Sequence, residues 1–432
     1  MSREMKDSGI PWIGEIPKDW EIKRLKQESV FINGYAFNSD DFKIDEGVKV
    51  IRIGDIGLNV DFDGCVKTIV DTNLLTPFRI KDGDILIAMS GATTGKCCIV
   101  DKAEEAYINQ RVGIIRSDIN KFIYYSLMTP YFMEFVNLHN AGSAQPNISS
   151  KAIGEFPILM MSLPEQQKIA SFLDRKCSEI DEMIALQEQI VEELKAYKQS
   201  VISEAVTKGL NPAVPMKDSG IEWIGQIPEH WEVCRVKNLS KMISKGATPP
   251  TIDKESYEGN VRFIKCENIS NNELVNNSLY YISTEINESM KRSQLEENDV
   301  LFVIAGATIG KTAIVGKEFL PSNTNQAVSF IRLKDAQKAK FLWYVLQSNV
   351  VQVPLWVNAV QSAQPNLSME NLGNFNIPSP IDSEQQAIAD YLDEKCADID
   401  SLIQTKQSKI DSLKEYKKSI IYEYVTGKRE VE

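Results

Sequence analysis

The sequence has very little histidine, and its cysteines show no metal-binding pattern. Of 432 residues, two are histidines, His139 and His230, and seven are cysteines without a Cys-x-x-Cys pair or a neighbouring histidine. Structural zinc sites and disulfide frameworks need such spacings. We therefore expect reduced, mostly buried thiols, with no metal and no cofactor. A Ser-His-Asp hydrolase or a His-ligated metalloenzyme is disfavoured.

Long hydrophobic runs are also absent. No apolar run approaches the ~18 residues that a membrane span requires, and residues 1–19 are polar and charged. These features predict neither a signal peptide nor a membrane anchor, and we expect a cytoplasmic protein. The chain is 43% hydrophobic and 25% charged, and it is long enough for two or more globular domains.

A basic excess is missing as well. The net charge is −12, whereas an isolated DNA-binding domain usually carries an excess of lysine and arginine. Most affinity for DNA comes from neutralising phosphates. If this chain binds DNA, we expect it to bind poorly by itself, and partners would then supply much of the phosphate contact.

The sequence contains an internal duplication. Five motifs occur twice in the same order: Lys-Asp-Ser-Gly-Ile-x-Trp-Ile-Gly-x-Ile-Pro-x-x-Trp at 6–20 and 217–231, Gly-Ala-Thr-x-Gly-Lys at 91–96 and 306–311, Asn-Gln at 109–110 and 325–326, Ser-Ala-Gln-Pro-Asn at 143–147 and 362–366, and Glu-Gln-Gln at 165–167 and 384–386. Repeats of this size indicate a tandem architecture.

The distance between matching residues changes along the repeat. Trp12 and Trp223 are 211 residues apart, Gly91 and Gly306 are 215 apart, and every match from Ser143 onward is 219 apart. Each repeat therefore joins a part of variable length to a part of fixed length. Variable length is typical of surface loops that recognise something, and fixed length is typical of a spacer.

The two parts of each repeat predict an α+β fold. Short apolar runs such as 49–53, 84–89 and 300–305 predict buried strands, and 122–136 and 339–351 have helical spacing. Residues 164–207 and 383–426 predict one long helix each, or two with a break. We predict β-rich domains with short helices at 1–163 and 211–381, and spacer helices at 164–210 and 382–432.

The two long helices carry apolar residues at heptad spacing. Such a stripe predicts a coiled-coil seam, and the two helices of one chain are natural antiparallel partners. Gln187 and Lys406 interrupt the stripe at matching positions, and Lys409 also intrudes while Ile410 lies beside it. The predicted seam residues are Ile180, Met183, Ile190, Leu194, Tyr197, Val201, Ile399, Leu402, Leu413, Tyr416 and Ile420.

In the order of its motifs, the whole chain resembles the specificity subunit of type I restriction-modification systems. The resemblance rests on the doubled motifs, on the strands at 83–86 and 298–301, and on the Glu-Gln-Gln segments that lead into long helices. It implies two target-recognition domains held apart by two antiparallel helices, each domain reading one half of a split, asymmetric double-stranded DNA target. It also implies that the chain is non-catalytic and that it binds two DNA adenine methyltransferase subunits and the restriction (translocase) subunits.

The Gly-Ala-Thr-x-Gly-Lys segments are similar to phosphate-binding loops. A nucleotide loop has four residues between its first Gly and the Gly-Lys pair, whereas these segments have three. The spacing disfavours a nucleotide hydrolase that uses Lys96 or Lys311. A turn that exposes these lysines to a DNA phosphate and a purely structural turn both remain open.

Polar and basic residues of the β-rich domains are the candidates for reading DNA. Arginine makes bidentate contacts with guanine, and polar side chains contact base edges or phosphates. For each residue the alternative is a solvated surface side chain or a local salt bridge. The DNA-binding candidates are Tyr35, Asn38, Arg52, Lys96, Arg111, Lys245, Thr248, Arg262 and Lys311.

Three further points arise at the level of sequence. The repeated tryptophans Trp12, Trp20, Trp223 and Trp231 are interpreted as packing anchors that close each repeat onto the helices. The Ser-Ala-Gln-Pro-Asn segments either cap a strand or face DNA. A protein-binding coiled-coil scaffold without direct DNA contact is the alternative function, and the negative charge favours it.

Overall fold

The computed structural model describes residues 3–43, 46–70, 73–140, 146–249, 259–277, 280–359 and 366–431. The fold is α+β, and each repeat is a β-rich part with short helices followed by one long helix. The strands of the first repeat are β1 Met5–Asp7, β2 Glu15–Pro17, β3 Glu21–Arg24, β4 Val30–Asn33, β5 Phe42–Lys43, β6 Val48–Ile51, β7 Val66–Thr68, β8 Ile85–Ala88, β9 Cys97–Ile99, β10 Ala106–Ile108, β11 Val112–Arg116 and β12 Pro157–Met160. Its helices are α1 Leu25–Glu28, α2 Asn120–Leu127, α3 Pro130–Asn140, α4 Ser150–Gly154 and α5 Leu163–Lys208.

The second repeat has the same plan. Its strands are β13 Met216–Asp218, β14 Gln226–Pro228, β15 Glu232–Arg235, β16 Ser240–Lys245, β17 Val261–Ile264, β18 Ile269–Ser270, β19 Glu273–Leu274, β20 Tyr280–Ile282, β21 Val300–Val303, β22 Thr312–Ile314, β23 Ser322–Thr324, β24 Val328–Leu333 and β25 Asn376–Ser379. Its helices are α6 Val236–Leu239, α7 Thr284–Ser289, α8 Ala339–Gln347, α9 Asn349–Ala359, α10 Met369–Asn374 and α11 Asp382–Val425.

The chain forms two compact units, and each long helix contributes to both. Unit 1 comprises Met1–Glu188 and Ser408–Glu432, and unit 2 comprises Gln189–Gln407. Each unit thus contains one β-rich part, half of α5 and half of α11.

The main sheet of unit 1 has the strand order β4-β11-β8-β9, with every neighbouring pair antiparallel. A second sheet has the order β10-β6-β7-β5. Strand β8 reads Ile-Leu-Ile-Ala and is buried at every position, as a strand covered on both faces requires. Leu86 and Ile114 of the main sheet share a hydrophobic core with Ile51 and Ile108 of the second sheet.

Unit 2 repeats this arrangement with the sheets β16-β24-β21-β22 and β20-β17-β23. Its core joins Leu301 and Phe330 of the main sheet to Ile264 of the second sheet. A buried carboxylate anchors each main sheet in the same way. Arg332 bonds Asp299 through two nitrogens at 2.9 and 2.7 Å, and Arg116 bonds Asp84 at 2.6 Å through each of two nitrogens.

The helical segments that follow the main sheets are each two helices rather than one. The spacing of 122–136 predicts a single helix, but α2 ends at Leu127 and α3 begins at Pro130. Proline lacks an amide hydrogen and fits the first position of a helix, so it starts a new one. The segment 339–351 also divides, between α8 and α9, although α9 begins at Asn349 and its proline, Pro354, lies inside the helix.

The predicted long helices are confirmed, with bounds that differ from the predicted ones by one residue. They run antiparallel within each unit. In unit 1 the Phe172 and Tyr424 rings lie 4.4 Å apart and Lys414 bonds Glu188 at 3.3 Å. In unit 2, Ile202 of α5 shares a core with Leu392 of α11.

The buried stripe of α5 departs from the predicted seam at every second seam residue, where the next residue along the helix is the more buried one. Ile180 is 2% exposed, but Met183 is 44% exposed and Tyr197 is 59% exposed. The residues that follow Met183 and Ile190, which are Ile184 and Val191, are buried instead. Ile190, Leu194 and Val201 are half-buried, as is Gln187.

The stripe of α11 shows the same shift. Ile399, Leu413 and Ile420 are buried, whereas Leu402 and Tyr416 are 50% and 53% exposed. Ile410 is 1% exposed and belongs to the stripe, and Lys409 is outside it. Both helices carry two adjacent apolar residues in several turns, so heptad spacing alone does not decide which of the two faces the partner.

Tryptophan joins each β-rich part to the end of a long helix. Trp231 is buried against Gly209 at the end of α5, and Trp20 is buried against Gly427 after α11. Trp231 also donates its indole N–H to Glu384 at 3.0 Å. The interpretation as packing anchors fits these two residues, but Trp223 is 41% exposed and Trp12 is half-buried.

Candidate nucleic-acid interface

One edge of each main sheet gathers the functional candidates. In unit 1, β4 and β8 end at this edge, and β11 and β9 begin there, because neighbouring strands are antiparallel. Two backbone hydrogen bonds close the edge: Gly34 N donates to Val112 O at 3.0 Å, and Met89 N donates to Arg111 O at 2.9 Å.

A short turn, 109–111, forms the centre of this edge. Asn109 N donates to Ile51 O at 3.0 Å, which ties the turn to the end of β6. Tyr35 N donates to Ile108 O at 3.0 Å. A Cβ added to Gly34 would lie 2.0 Å from Asn109 O, so the loop after β4 passes this turn at a distance that only glycine permits.

The basic candidates of unit 1 are exposed beside this turn. Arg111 is exposed, and in the part of the chain that the structure describes its guanidinium makes no hydrogen bond or ion pair. Arg52 directly follows β6 and is exposed, with its Nε 3.5 Å from an Asp55 oxygen. Tyr35 is 40% exposed and packs on Phe37. Asn38 is also exposed and precedes a short turn that begins at Ser39.

Unit 2 has the same edge with different side chains. Lys245 ends β16 and is exposed. Thr248, two residues after Gly246, donates its hydroxyl to Gln326 Oε1 at 2.8 Å. Gln326 belongs to the turn that matches 109–111, and Asn325 N donates to Ile264 O at 3.3 Å. The second repeat has Ala247 and Ala327 where the first has Tyr35 and Arg111.

Arg262 lies in a different environment from the other candidates. It is half-buried within β17, its guanidinium donates to the backbone oxygen of Glu318, and it stacks on Phe319 at 5.5 Å. These contacts engage the guanidinium within its own domain. Arg262 is therefore not part of the proposed interface.

The Gly-Ala-Thr-x-Gly-Lys segments are hairpin turns in which several backbone amides already donate to backbone oxygens. Gly91 N donates to Pro146 O, Thr94 N donates to Gly91 O, and Gly95 N and Lys96 N donate to Ala88 O and Thr93 O. Phosphate-binding loops need free, converging backbone N–H groups. Lys96 is exposed at the end of the turn, and Lys311 is half-buried at the matching position.

The Ser-Ala-Gln-Pro-Asn motifs lie beside these turns. Asn147 forms a β-bridge with Ser90, and Asn366 forms one with Ala305. The preceding residues 143–145 and 362–365 lie outside the described residues. Two motifs that are about fifty residues apart in sequence thus meet at the same edge in both units.

Sequence reasoning missed three side chains at these edges. Gln110 and Gln326 are exposed on the matching turns. Lys265 occupies the position of Arg52 directly after β17, and its ammonium lies 3.1 Å from the centre of the Tyr280 ring. The doubled Asn-Gln motif was a signal for the glutamines. Lys265 becomes recognisable only when β6 and β17 are superposed.

Both histidines have structural partners. His230 bonds Glu384 at 3.0 Å, and His139 bonds the Phe135 oxygen at 2.8 Å. Within the described ranges, no three His, Cys, Asp or Glu side chains come together in a way that could hold a metal ion. Likewise, no helix in those ranges is long and apolar enough to cross a membrane.

Comparison with known proteins identifies the family. The model of the type I restriction modification DNA specificity domain matches residues 17–196 and again 228–425. The chain is 28% identical over 418 residues to the type I restriction enzyme EcoBI specificity subunit of Escherichia coli, covering 93% of this chain and 84% of that protein. It is 24% identical to the MjaVIII specificity subunit of Methanocaldococcus jannaschii, covering 96% of this chain and 93% of that protein.

A solved structure shares the fold. A chain from work on complex assembly and conformational transition of the type I R-M system superposes with a TM-score of 0.71 at 16% identity, covering 96% of this chain and 99% of that one. The two family-model matches together span most of the sequence and coincide with the two repeats. The chain therefore belongs to the type I restriction modification DNA specificity domain family, and it carries two copies of the family's domain.

Proposed function

We propose that this chain selects the DNA target of a type I restriction-modification enzyme by reading a bipartite, asymmetric sequence. The β-rich parts, 1–163 and 211–381, act as target-recognition domains, and 164–210 and 382–432 act as spacer helices. The chain works as a non-catalytic specificity subunit in the cytoplasm, where bacterial and archaeal DNA is accessible. Family membership supports the recognition role, since the matching model describes a DNA specificity domain.

The observation that supports an asymmetric target is a shared edge with different side chains. Unit 1 presents Tyr35, Arg52 and Arg111, whereas unit 2 presents Lys245 and Thr248 at the corresponding edge. The half-buried Lys265 takes the place of Arg52 there. Arginine and lysine select guanine through its O6 and N7 atoms, and hydroxyl groups contact several bases. Different side chains on the same scaffold read different half-sites.

Asn38, Lys96 and Lys311 complete the proposed interface as phosphate or base-edge contacts. Each is a polar residue near the same edge of its unit. Contacts of this kind position a protein on the duplex without reading sequence. We expect Lys96→Ala to weaken binding to all DNA sequences alike and to reduce the salt dependence of binding.

We further propose that two DNA adenine methyltransferase subunits and the restriction subunits bind this chain. The net charge of −12 supports a role for partners, because phosphate neutralisation dominates DNA affinity. A gel-shift assay should show much tighter DNA binding by the complex with methyltransferase than by the purified chain. Equal affinities would contradict this division of labour.

The decisive experiment is co-expression with the cognate methyltransferase, followed by single-molecule sequencing of host DNA for methylated adenine. We expect a split, asymmetric motif that appears only when this chain is present. A soluble complex that directs no methylated motif would favour the alternative function, a protein-binding coiled-coil scaffold. The negative charge is the observation that favours this alternative.

A further inference from the structure

The Asn-Gln turn is one of the elements that both proposed reading edges share. Gln110 and Gln326 are exposed, so packing does not explain why both repeats have glutamine there. Their neighbours on the same turns differ, since Arg111 corresponds to Ala327. An exposed side chain that stays identical while its neighbour on the turn differs indicates a contact that both edges make.

Hydrogen bonds of the asparagine side chain and backbone hold each turn in place. Asn109 Oδ1 accepts from Gln110 N at 2.8 Å, and Val112 N donates to Asn109 O at 2.8 Å. In the second repeat, Asn325 Oδ1 accepts from Ala327 N at 3.2 Å, and Val328 N donates to Asn325 O at 3.2 Å. A rigid turn lowers the cost of ordering the side chain that it presents.

In each unit a glycine allows the loop after β4 or β16 to pass close to the turn. A Cβ on Gly246 would lie 1.9 Å from Thr324 O and 2.3 Å from Asn325 O, and Gly34 makes the matching approach to Asn109. In unit 1 the turn is held between the end of β6 and the loop after β4. In unit 2 it is held between the end of β17 and the loop after β16. The glutamine side chain is the exposed part of an otherwise constrained element.

The amide of Gln326 is oriented by a hydroxyl group. Thr248 donates to Gln326 Oε1 at 2.8 Å, which leaves the amide NH₂ group and one lone pair of Oε1 available. In the first repeat Ala36 stands where Thr248 stands in the second. Among the described residues, the side-chain amide of Gln110 has no hydrogen-bond partner, so both its oxygen and its NH₂ group are available.

We propose that Gln110 and Gln326 are matched base-reading residues, each making a bidentate contact with one adenine in its own half-site. A glutamine amide donates to adenine N7 and accepts from the adenine N6 amino group, a pairing that no other base offers in the major groove. Thr248 acts as a positioning residue for Gln326. The inference rests on the proposed function and adds a common adenine to two otherwise different half-sites.

The test compares methylated motifs directed by the full complex. The chain is co-expressed with its methyltransferase as wild type, Gln110→Ala, Gln326→Ala and Gln337→Ala. Gln337 is an exposed control beyond the opposite end of β24. Purified complexes are then assayed by competition with duplexes that carry single base-pair changes, and thermal unfolding of each variant checks its folding.

We expect Gln326→Ala to lose discrimination by about 5- to 150-fold at one A·T position of one half-site. Gln110→Ala should relax one A·T position of the other half-site, and Gln337→Ala should behave as wild type. Thr248→Val should weaken the same position as Gln326→Ala, and Thr248→Ser should restore it.

Unchanged selectivity in both glutamine variants, or relaxation at G·C positions instead, would overturn the inference while the proposed function stands. A wild-type complex that directs no split motif would overturn the proposed function, and this inference with it. The two failures are distinguishable because the first is read from the variants and the second from the wild type.

Discussion

Lys417 donates to both carboxylate oxygens of Asp181, at 2.7 and 2.6 Å, and joins the two long helices within unit 1. The duplicated pair, Lys198 and Asp400, joins them within unit 2 at 2.6 Å. The lysine side chains are only 16% and 24% exposed. Each ion pair therefore lies in a partly desolvated place, where an ionic partner is worth more than at the surface.

Removal of the carboxylate should destabilise unit 1 measurably. Asp181→Asn leaves the Lys417 ammonium half-buried with a weaker partner, and we expect a loss of about 1–2 kcal/mol in the free energy of unfolding. Urea denaturation measures the change. The control Asp398→Asn alters an exposed carboxylate on the same helix pair. Equal stability of the two variants would show that the ion pair contributes nothing.

A tyrosine attaches each β-rich part to its long helix. Tyr344 donates its hydroxyl to Asp393 at 2.9 Å, and Tyr125 donates to Asp174 at 2.8 Å. Burial, followed by the hydrogen bond to Asp393, raises the pKa of Tyr344, so the hydroxyl stays protonated. We expect Tyr344→Phe to lower the free energy of unfolding by about 1–3 kcal/mol. Tyr416→Phe, at a 53% exposed position, is the calorimetric control and should leave the melting temperature unchanged.

The close approach of Gly34 to the Asn109 turn makes recognition sensitive to substitution of this glycine. An alanine Cβ would lie 2.0 Å from Asn109 O, so the loop or the turn must move. We expect Gly34→Ala to impair recognition of one half-site more than the other. Gly54→Ala meets no atom within 4 Å and serves as the control. Competition binding with changes in each half-site measures the effect, and equal losses in both halves would refute the local explanation.

The buried thiols predict sensitivity to alkali. Burial raises the pKa of Cys97 and Cys98 from 9.0 to about 12. The folded state therefore retains protons that the unfolded chain releases above its thiol pKa, so stability is full below pH 9 and falls as the pH rises toward 12. The loss at pH 10 should be about 1 kcal/mol for each thiol.

Thermal unfolding between pH 8 and 10.5 checks this dependence. The Cys97→Ala/Cys98→Ala variant is less stable at pH 8 because of its smaller side chains, but its stability should decline less with pH than that of the wild type. Cys266→Ala, at a half-buried position, is the comparison. Parallel declines in all three proteins would mean that other groups control alkaline unfolding.

Much of the fold follows from the sequence because duplication supplies two readings of each element. The apolar runs at 84–89 and 300–305 predict strands that the structure has as β8 and β21. The absence of glycine and of internal proline predicts α5 almost to the residue. These signals are local, so a single sequence is sufficient to recognise them.

Features that depend on tertiary contacts were not accessible in this way. Heptad spacing could not choose between Met183 and Ile184, because both are apolar and only the partner helix distinguishes them. Arg262 fits the residue type of a base-reading side chain, but the sequence does not show that its guanidinium donates to the Glu318 backbone oxygen. The position of Lys265 beside the proposed reading edge could not be predicted, because sheet order decides which strand ends share an edge.

Unit 1 combines an early and a late segment of the chain, and this affects its folding during synthesis. Unit 2 occupies Gln189–Gln407 without interruption, whereas unit 1 needs Ser408–Glu432, including Gly427 against Trp20. On the ribosome, all of unit 2 has been translated before the last strip of unit 1 exists. Unit 1 is begun first and completed last, and until Ser408–Glu432 has been synthesised Trp20 lacks its contact with Gly427 and remains accessible to chaperones.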